Sequence, residues 1–206
     1  MYQKEEGRRV SKELDSITST FMIRRLQKDI LQSLLPPRQE VLLFCRPSRV
    51  QCDMYKRLTS LSTSLSDPLP LLTKLRKLCN HPLLLSSSNN DDVVQAPQDA
   101  EFMISGKLDI LDSLLYSIRC TCPNDKVVVV SNFTSALTVI EDTIIKKREW
   151  HSLRLDGTVE QSSRQALVDS FNRGSAEQSF VFLLSSKAGG CGLNLIGGKC
   201  NGAMVS

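Results

Sequence analysis

The sequence predicts an α/β protein: a parallel sheet with helices on both faces, preceded by a mostly helical segment with one strand. Three observations carry this. The valines Val127–Val130 run on without alternation, as in strands covered on both faces. Two more short apolar stretches, His151–Leu155 and Ser179–Leu184, follow at regular spacing. Segments of helical period separate the three, and strand, helix, strand, helix, strand at this spacing builds a doubly wound layer.

Taken in order, Glu5–Ser19 has helical spacing with a weak apolar face. Phe21–Leu35 places Phe21, Ile23, Leu26, Ile30 and Leu34 at helix-compatible intervals, and Pro36-Pro37 stops it because proline cannot continue a helix. Gln39–Cys45 (QEVLLFC) reads as a buried strand. Pro47–Leu61 reads as a helix with proline near its first turn, and Leu69–Cys79 as another, ended by Asn80-His81-Pro82. Ser86–Gln98, rich in Ser, Asn, Asp and Pro, reads as a mobile linker. Then Ser105-Gly106-Lys107 leads into a helix over Leu108–Ile118. The strand Lys126–Ser131, the helix Ser135–Lys146, the strand His151–Leu155, the helix Glu160–Phe171 and the strand Ser179–Leu184 complete the layer. The expected organisation is a segment over 1–85, a flexible linker over 86–104 and an α/β domain over 105–206.

Composition narrows the class. The 206 residues are 41% hydrophobic and 23% charged, ordinary for a globular protein, and no apolar run approaches the roughly 18–20 residues that span a bilayer. The polar N-terminus MYQKEEGRRVSKELD lacks the apolar core of a signal peptide, which points to the cytosol or nucleus. Cys45, Cys52, Cys79, Cys120, Cys122, Cys191 and Cys200 form no C-x-x-C pair. With only His81 and His151 beside them, no zinc site is expected, and they read as reduced thiols, mostly buried. A net charge of +4 is compatible with a DNA-binding face without singling one out.

In open α/β sheets ligands sit at the carboxyl ends of the strands. Ser131-Asn132-Phe133-Thr134 follows the first strand, and Asp156-Gly157-Thr158 the second. Ser185-Ser186-Lys187-Ala188-Gly189-Gly190-Cys191-Gly192-Leu193-Asn194 follows the third. All three tips are small, hydroxylated or glycine-rich, and all belong to one edge. Hydroxyls and free backbone N–H groups there suit phosphates, and such contacts hold a sugar-phosphate backbone without reading bases. Turn chemistry alone accounts for any one tip; the convergence of three is the functional signal. The stretch Gly192–Cys200 approaches a P-loop but is one residue too long, and Cys200 stands where Ser or Thr would bind Mg²⁺. Gly190-Cys191-Gly192 opens like a dinucleotide fingerprint, but Leu195 replaces its third glycine.

Seven collinear segments resemble one family, the SWI/SNF-type DNA translocases of helicase superfamily two. SSKAGGCGLNLIG (Ser185–Gly197) resembles its motif V, RLDGT (Arg154–Thr158) the motif before it, and KVVVVSNFT (Lys126–Thr134) its motif IV. SGKLDILDSLL (Ser105–Leu115) resembles the start of the second RecA-like lobe. FMIRR (Phe21–Arg25), LPPRQE (Leu35–Glu40) and LRKLCNHP (Leu75–Pro82) resemble, in order, segments leaving the first lobe. The wording is most similar to the radiation-repair branch, which acts in homologous recombination with the strand-exchange recombinase.

The resemblance implies a RecA-like second lobe over 105–206 and a remnant of the first lobe over 1–85. It also implies a nuclear protein that binds double-stranded DNA and has no membrane contact. Ser131 and Asn132 would touch one strand's phosphates, Asp156, Gly157 and Thr158 would lie beside that strand, and Ser186, Lys187 and Ala188 would contact the backbone. Gly190, Gly192 and Asn194 would line the nucleotide side of the interlobe cleft. Arg24 and Arg25 would brace the core at the end of the first lobe, and His81 has no catalytic role. In the complete family enzyme two lobes close on ATP and Mg²⁺, and an arginine finger stabilises the transferring phosphoryl group. The P-loop, the acidic metal-binding motif and the arginine finger fall outside these 206 residues, which read as a truncated product. No catalytic residue, tight cofactor or ATP hydrolysis is expected of the chain alone. The last nine residues look unrelated to the family, and an unpaired sheet edge is expected. The alternatives are a non-catalytic DNA- or protein-binding regulatory module, and a Rossmann-type enzyme whose glycine fingerprint the chain lacks.

Overall fold

A computed structural model describes residues 2–23, 39–61, 68–86, 105–189, 193–198 and 200–205. The chain divides into two compact units, 1–43 and 44–206. The first holds one long helix, α1 (Tyr2–Thr18), with Glu6 and Arg9 paired one turn apart at 2.7 Å. Phe21 ends the turn that follows α1 and Met22 and Ile23 are irregular, so the helix expected over Phe21–Leu35 does not begin there; its remainder, with Arg24 and Arg25, lies outside the described residues.

The stretch expected to be a buried strand, Gln39–Cys45, forms no strand. Val41, Leu42, Leu43 and Phe44 are 54–89% exposed. An apolar run records a need for cover, not the strand that would supply it.

The second unit begins with a helical hairpin, α2 (Arg49–Leu61) and α3 (Pro68–Asn80), followed by the short α4 (Leu83–Ser86). Ser48 and Gln51 start α2 reciprocally. The Ser48 N–H donates to Gln51 Oε1 at 2.9 Å and the Gln51 N–H to Ser48 Oγ at 3.3 Å, a capping box. Met54 and Leu58 of α2 pack on Leu78 and Leu85. Gln51, 3% exposed, also donates through Nε2 to the Leu78 carbonyl at 2.8 Å and accepts the Gly106 N–H at 3.2 Å. One side chain thus satisfies the end of α3 and the start of α5 (Gly106–Thr121). Ser105 Oγ donates to the Asn80 carbonyl at 2.5 Å and Lys107 Nζ to Asn80 Oδ1 at 3.1 Å. Gly106 must be glycine, because a Cβ there would lie 1.8 Å from the Arg46 carbonyl oxygen. These contacts join 44–86 to the α/β layer; residues 87–104 of the expected linker lie outside the described residues.

The layer is a four-stranded parallel sheet in the order β2-β3-β1-β4: β1 (Val127–Ser131), β2 (Ser152–Leu155), β3 (Val181–Ser185) and β4 (Cys200–Val205). The crossovers are α6 (Thr134–Ile140), continued by a π-helical turn at Glu141–Ile145, and α7 (Gln161–Arg173). Alternation along the central strands divides the core. Val127, Val129, Val181 and Leu183 pack on α5 and α6 through Leu111, Leu115, Leu137 and Ile140. Val128, Phe182 and Leu184 pack with Leu155 and with Phe171 of α7. Each such large side chain contributes about 1.5–3 kcal/mol on leaving water.

Two expectations change, and the sheet gains a strand that the sequence did not predict. The last nine residues, which look unrelated to the family, include β4, parallel to β1, with a register irregularity between Val128 and Val129; β1 therefore has a partner on both sides. The helix expected over Ser135–Lys146 ends in the π-turn, and Glu149, at φ 54°, turns the chain into β2. The cysteines are not mostly buried. Cys79, Cys120 and Cys122 are exposed and Cys45 and Cys52 half-buried, since the core positions of α3 and α5 are filled by leucines. No helix among the described residues is long and apolar enough to cross a membrane.

Candidate nucleic-acid interface

Because β1, β2 and β3 are parallel, their C-terminal ends share one edge of the sheet. Ser131 and Ser185 are register partners, and the Ser186 N–H donates to the Ser131 carbonyl at 3.0 Å, extending the ladder into the tips. Ser186 Oγ donates to Asn132 Oδ1 at 2.6 Å, joining the β1 and β3 tips by their side chains.

The β2 tip is held from within. Asp156 is 3% exposed and accepts the Thr158 hydroxyl at 2.6 Å, the Thr158 N–H at 3.0 Å and Arg154 Nε at 2.8 Å. The Thr158 hydroxyl, then its N–H, hold the Asp156 carboxyl below the usual carboxylate range against the opposing cost of burial, with Arg154 adding to the effect. Arg154 reaches further, donating to Thr138 Oγ1 at 3.0 Å and Glu141 Oε2 at 3.1 Å. Burial works against its charge, but the bonds to Asp156 and Glu141 outweigh that and raise its pKa. The guanidinium therefore ties the β2 tip to the helix that springs from the β1 tip.

The expected site residues separate into two groups. Asn132, Gly157, Thr158 and Lys187 are exposed, and Ser186 and Ala188 are half-buried. Ser131 and Asp156 face inward. Ser131 Oγ accepts the Phe133 N–H at 3.2 Å, and both shape their loops rather than offering a side chain to a ligand. Ala188 packs on the α7 face of the sheet, and its N–H donates to the Ser185 carbonyl. Gly190 and Gly192 lie outside the described residues. Asn194 is exposed, and its carbonyl accepts Asn172 Nδ2 at 2.7 Å. Sequence reading missed Arg154, Thr138, Glu141 and Asn172; the signal for Arg154 was present, since a basic residue two before an acid in a strand faces the same way.

The rim is nearly neutral. Arg154 is spent on Asp156 and Glu141, which leaves Lys187 as its exposed cation. Hydroxyls, an amide and backbone N–H groups on this edge suit a polyanion held by hydrogen bonds. Among the described residues no group of three or more His, Cys, Asp and Glu could hold a metal ion.

Known proteins agree with this architecture. The model of the SNF2-related domain matches residues 2–84, and that of the helicase conserved C-terminal domain matches 106–200. Residues 44–84 thus fall in the first match while packing with the second. The DNA repair protein rhp54 of Schizosaccharomyces pombe is 39% identical over 94% of this chain, which spans 25% of that protein's length. The C-terminal part of the Fun30 ATPase domain superposes with a TM-score of 0.66 at 23% identity, covering 84% of this chain and 75% of that one. The Sulfolobus solfataricus SWI2/SNF2 ATPase core, solved in complex with double-stranded DNA, gives 0.58 at 22% identity over 84% of this chain and 37% of that one. At these identities the two structures establish the RecA-like fold alone. From the paired domain matches and the DNA-repair relatives, the chain belongs to the SNF2-related family of proteins with a helicase conserved C-terminal domain.

Proposed function

We propose that this chain is part of an ATP-dependent double-stranded-DNA translocase of homologous-recombination repair, and that the strand-tip rim is one of its grips on the DNA backbone. The carrying observation is the convergence of three tips on one edge, with Asn132 and Ser186 hydrogen-bonded across β1 and β3. In this reading Asn132, Gly157, Thr158, Ser186 and Lys187 face the phosphates, and the backbone at Ala188 lies beside them. Ser131 and Asp156 position their loops, and Gly190, Gly192 and Asn194 line the nucleotide cleft. Contacts to phosphate rather than base make stepping indifferent to sequence. Relatives named as DNA repair and recombination proteins support the recombination setting, and the reading extends to a nuclear location, a strand-exchange recombinase as partner and action on chromatin.

The 206 residues contain no intact P-loop sequence, so the purified chain is expected to hydrolyse no ATP, with or without DNA. The grip is tested by fluorescence anisotropy with duplexes of unrelated sequence. The double variant N132D/K187E places negative charge at the rim. It should weaken binding about tenfold at low salt, equally for every sequence, and lower the salt slope by roughly one. Unchanged affinity would remove the rim from the interface.

A further inference from the structure

A rim with one exposed cation cannot by itself give the steep salt dependence of duplex binding. The charge lies next to it. Residues 44–86 hold seven Lys and Arg against two Asp, more than the whole net charge of +4. Arg46, Arg49, Lys56, Arg57 and Arg76 are exposed and Lys77 half-buried, and none of these six side chains is in an ion pair among the described residues. Several cations of the α/β layer are held otherwise, while Lys147 and Lys187 are exposed. Arg148 is paired with Asp112, Lys146 with Asp142 and Arg154 with two acids, and Lys126 is buried against the carbonyls of Phe171 and Gly174.

Connectivity places the hairpin beside the rim. A short connection leads from the end of α5 at Thr121 to the start of β1 at Val127, and Leu111 and Leu115 of α5 pack on Val127 and Val129. The helix therefore runs antiparallel to the strand. Its N-terminus at Gly106, about 24 Å from its C-terminus at 1.5 Å per residue, falls on the side of the strand tips rather than on the side where β1 begins. Gln51 and Asn80 of the hairpin are fastened at that N-terminus. On α2 the core residues Gln51, Met54 and Leu58 take one face, and Arg49, Asp53, Lys56 and Arg57 recur on the other.

We infer that the outer face of the α2–α3 hairpin is a second DNA-backbone site, continuous with the rim, in which Arg49, Lys56, Arg57, Arg76 and Lys77 meet phosphates. This rests on the rim reading of the preceding section. A duplex fits these unpaired cations because it presents one negative charge per roughly 1.7 Å of its axis and asks for no base-specific geometry. The hairpin supplies charge and the rim supplies directed hydrogen bonds.

The test uses the full chain, a fluorescent duplex and a salt series. K56Q/R57Q and R76Q/K77Q each remove two cations from separate helices, and glutamine keeps a comparable helix propensity. Each pair should reduce the magnitude of the log K against log salt slope by about 1.8, at 0.9 per phosphate contact, with an unchanged circular dichroism spectrum. If both variants keep the unmodified slope while N132D/K187E lowers it, the hairpin site is overturned and the rim grip stands. If the hairpin variants lower the slope and the rim variant does not, the hairpin site stands and the rim grip fails. An unmodified chain that binds no duplex at low salt overturns both. Hairpin variants that lose only binding to polyglutamate, keeping the duplex slope, show a surface for acidic protein and overturn the DNA site.

Discussion

Arg154 and Asp156, two residues apart at the end of β2, form an ion pair at 2.8 Å in which the acid side chain is 5% exposed and the base 27%. The same guanidinium bonds Thr138 and Glu141 on α6, so one side chain fixes the β2 tip against the element that follows the β1 tip. The π-turn begins at Glu141, whose carboxylate lies one turn beyond Thr138, and π-turns recur where a helix must place a particular side chain.

Arg154→Ala is expected to lower unfolding stability by about 2–3 kcal/mol, since hydrogen bonds to charged groups contribute roughly 1.5–3 kcal/mol and a buried carboxylate is left with Thr158 alone. Arg154→Lys should recover part of this, because lysine keeps the charge but cannot reach Asp156, Thr138 and Glu141 together. Urea denaturation followed by the fluorescence of Trp150, packed edge-on to Phe180 at 5.1 Å, measures both. An unchanged midpoint for the alanine variant would show that the network orients the tip without stabilising it.

The Asp156 carboxyl adds a pH dependence of known sign. Its folded pKa lies below the unfolded value of about 3.9. The unfolded chain therefore takes up protons first as pH falls. The stabilisation is complete above that value and is lost as pH drops through the folded one. Thr158→Val removes the largest contribution, the 2.6 Å hydroxyl bond, so the Asp156 carboxyl should titrate at higher pH. Carboxyl carbon NMR of wild type and variant decides it; coincident titration curves would assign the depression to the remaining partners.

What the sequence revealed and what it hid divide along contact distance. Val127–Val130 and the Ser179–Leu184 run made β1 and β3 legible, since two-sided burial writes itself into consecutive apolar residues, and with them the shared edge of tips. β4 was hidden because CNGAMV, with Gly and Asn, has little intrinsic strand preference and takes its form from pairing with a distant β1. The strand expected at Gln39–Cys45 is the converse case, a strong local apolar pattern that does not take up strand conformation. The partners of Gln51 lie 27 and 55 residues away, and those of Arg154 on α6 lie 13 and 16 away. No periodicity records such pairs, so the residues that position the site were the least readable part of it.

Gln51 offers a direct measure of the joint between hairpin and layer. Gln51→Leu keeps the apolar bulk but strands the Gly106 N–H and the Leu78 carbonyl in a buried place. At about 1–3 kcal/mol for each of the two groups left unsatisfied, a loss of roughly 2–6 kcal/mol is expected. The loss should be accompanied by faster amide exchange at Gly106 and little change at Val129 in the sheet centre. Uniform acceleration at both amides would mean that hairpin and layer unfold as one body.

Asn172 of α7 governs the segment that carries the chain from the β3 tip to β4. Its Nδ2 donates to the Asn194 carbonyl at 2.7 Å, and its Oδ1 accepts the Gly197 N–H at 2.9 Å, so one amide clamps both ends of the turn. The approach is close: a Cβ at Gly197 would lie 2.9 Å from the Asn172 Cα, the Phe171 carbonyl oxygen and Lys126 Nζ. Two of those atoms are backbone and cannot swing aside, so Gly197→Ala should push the segment off the helix, whereas Asn172→Ala removes only the clamp. At about 1 kcal/mol per hydrogen bond, the Gly197 amide in Asn172→Ala should exchange roughly fivefold faster, and the segment in Gly197→Ala faster still. Because the same segment leads from the rim to the β4 edge, loosening it should also weaken duplex binding without altering the salt slope, since no cation is lost. A lowered slope in Asn172→Ala would instead mean that the segment itself carries phosphate contacts.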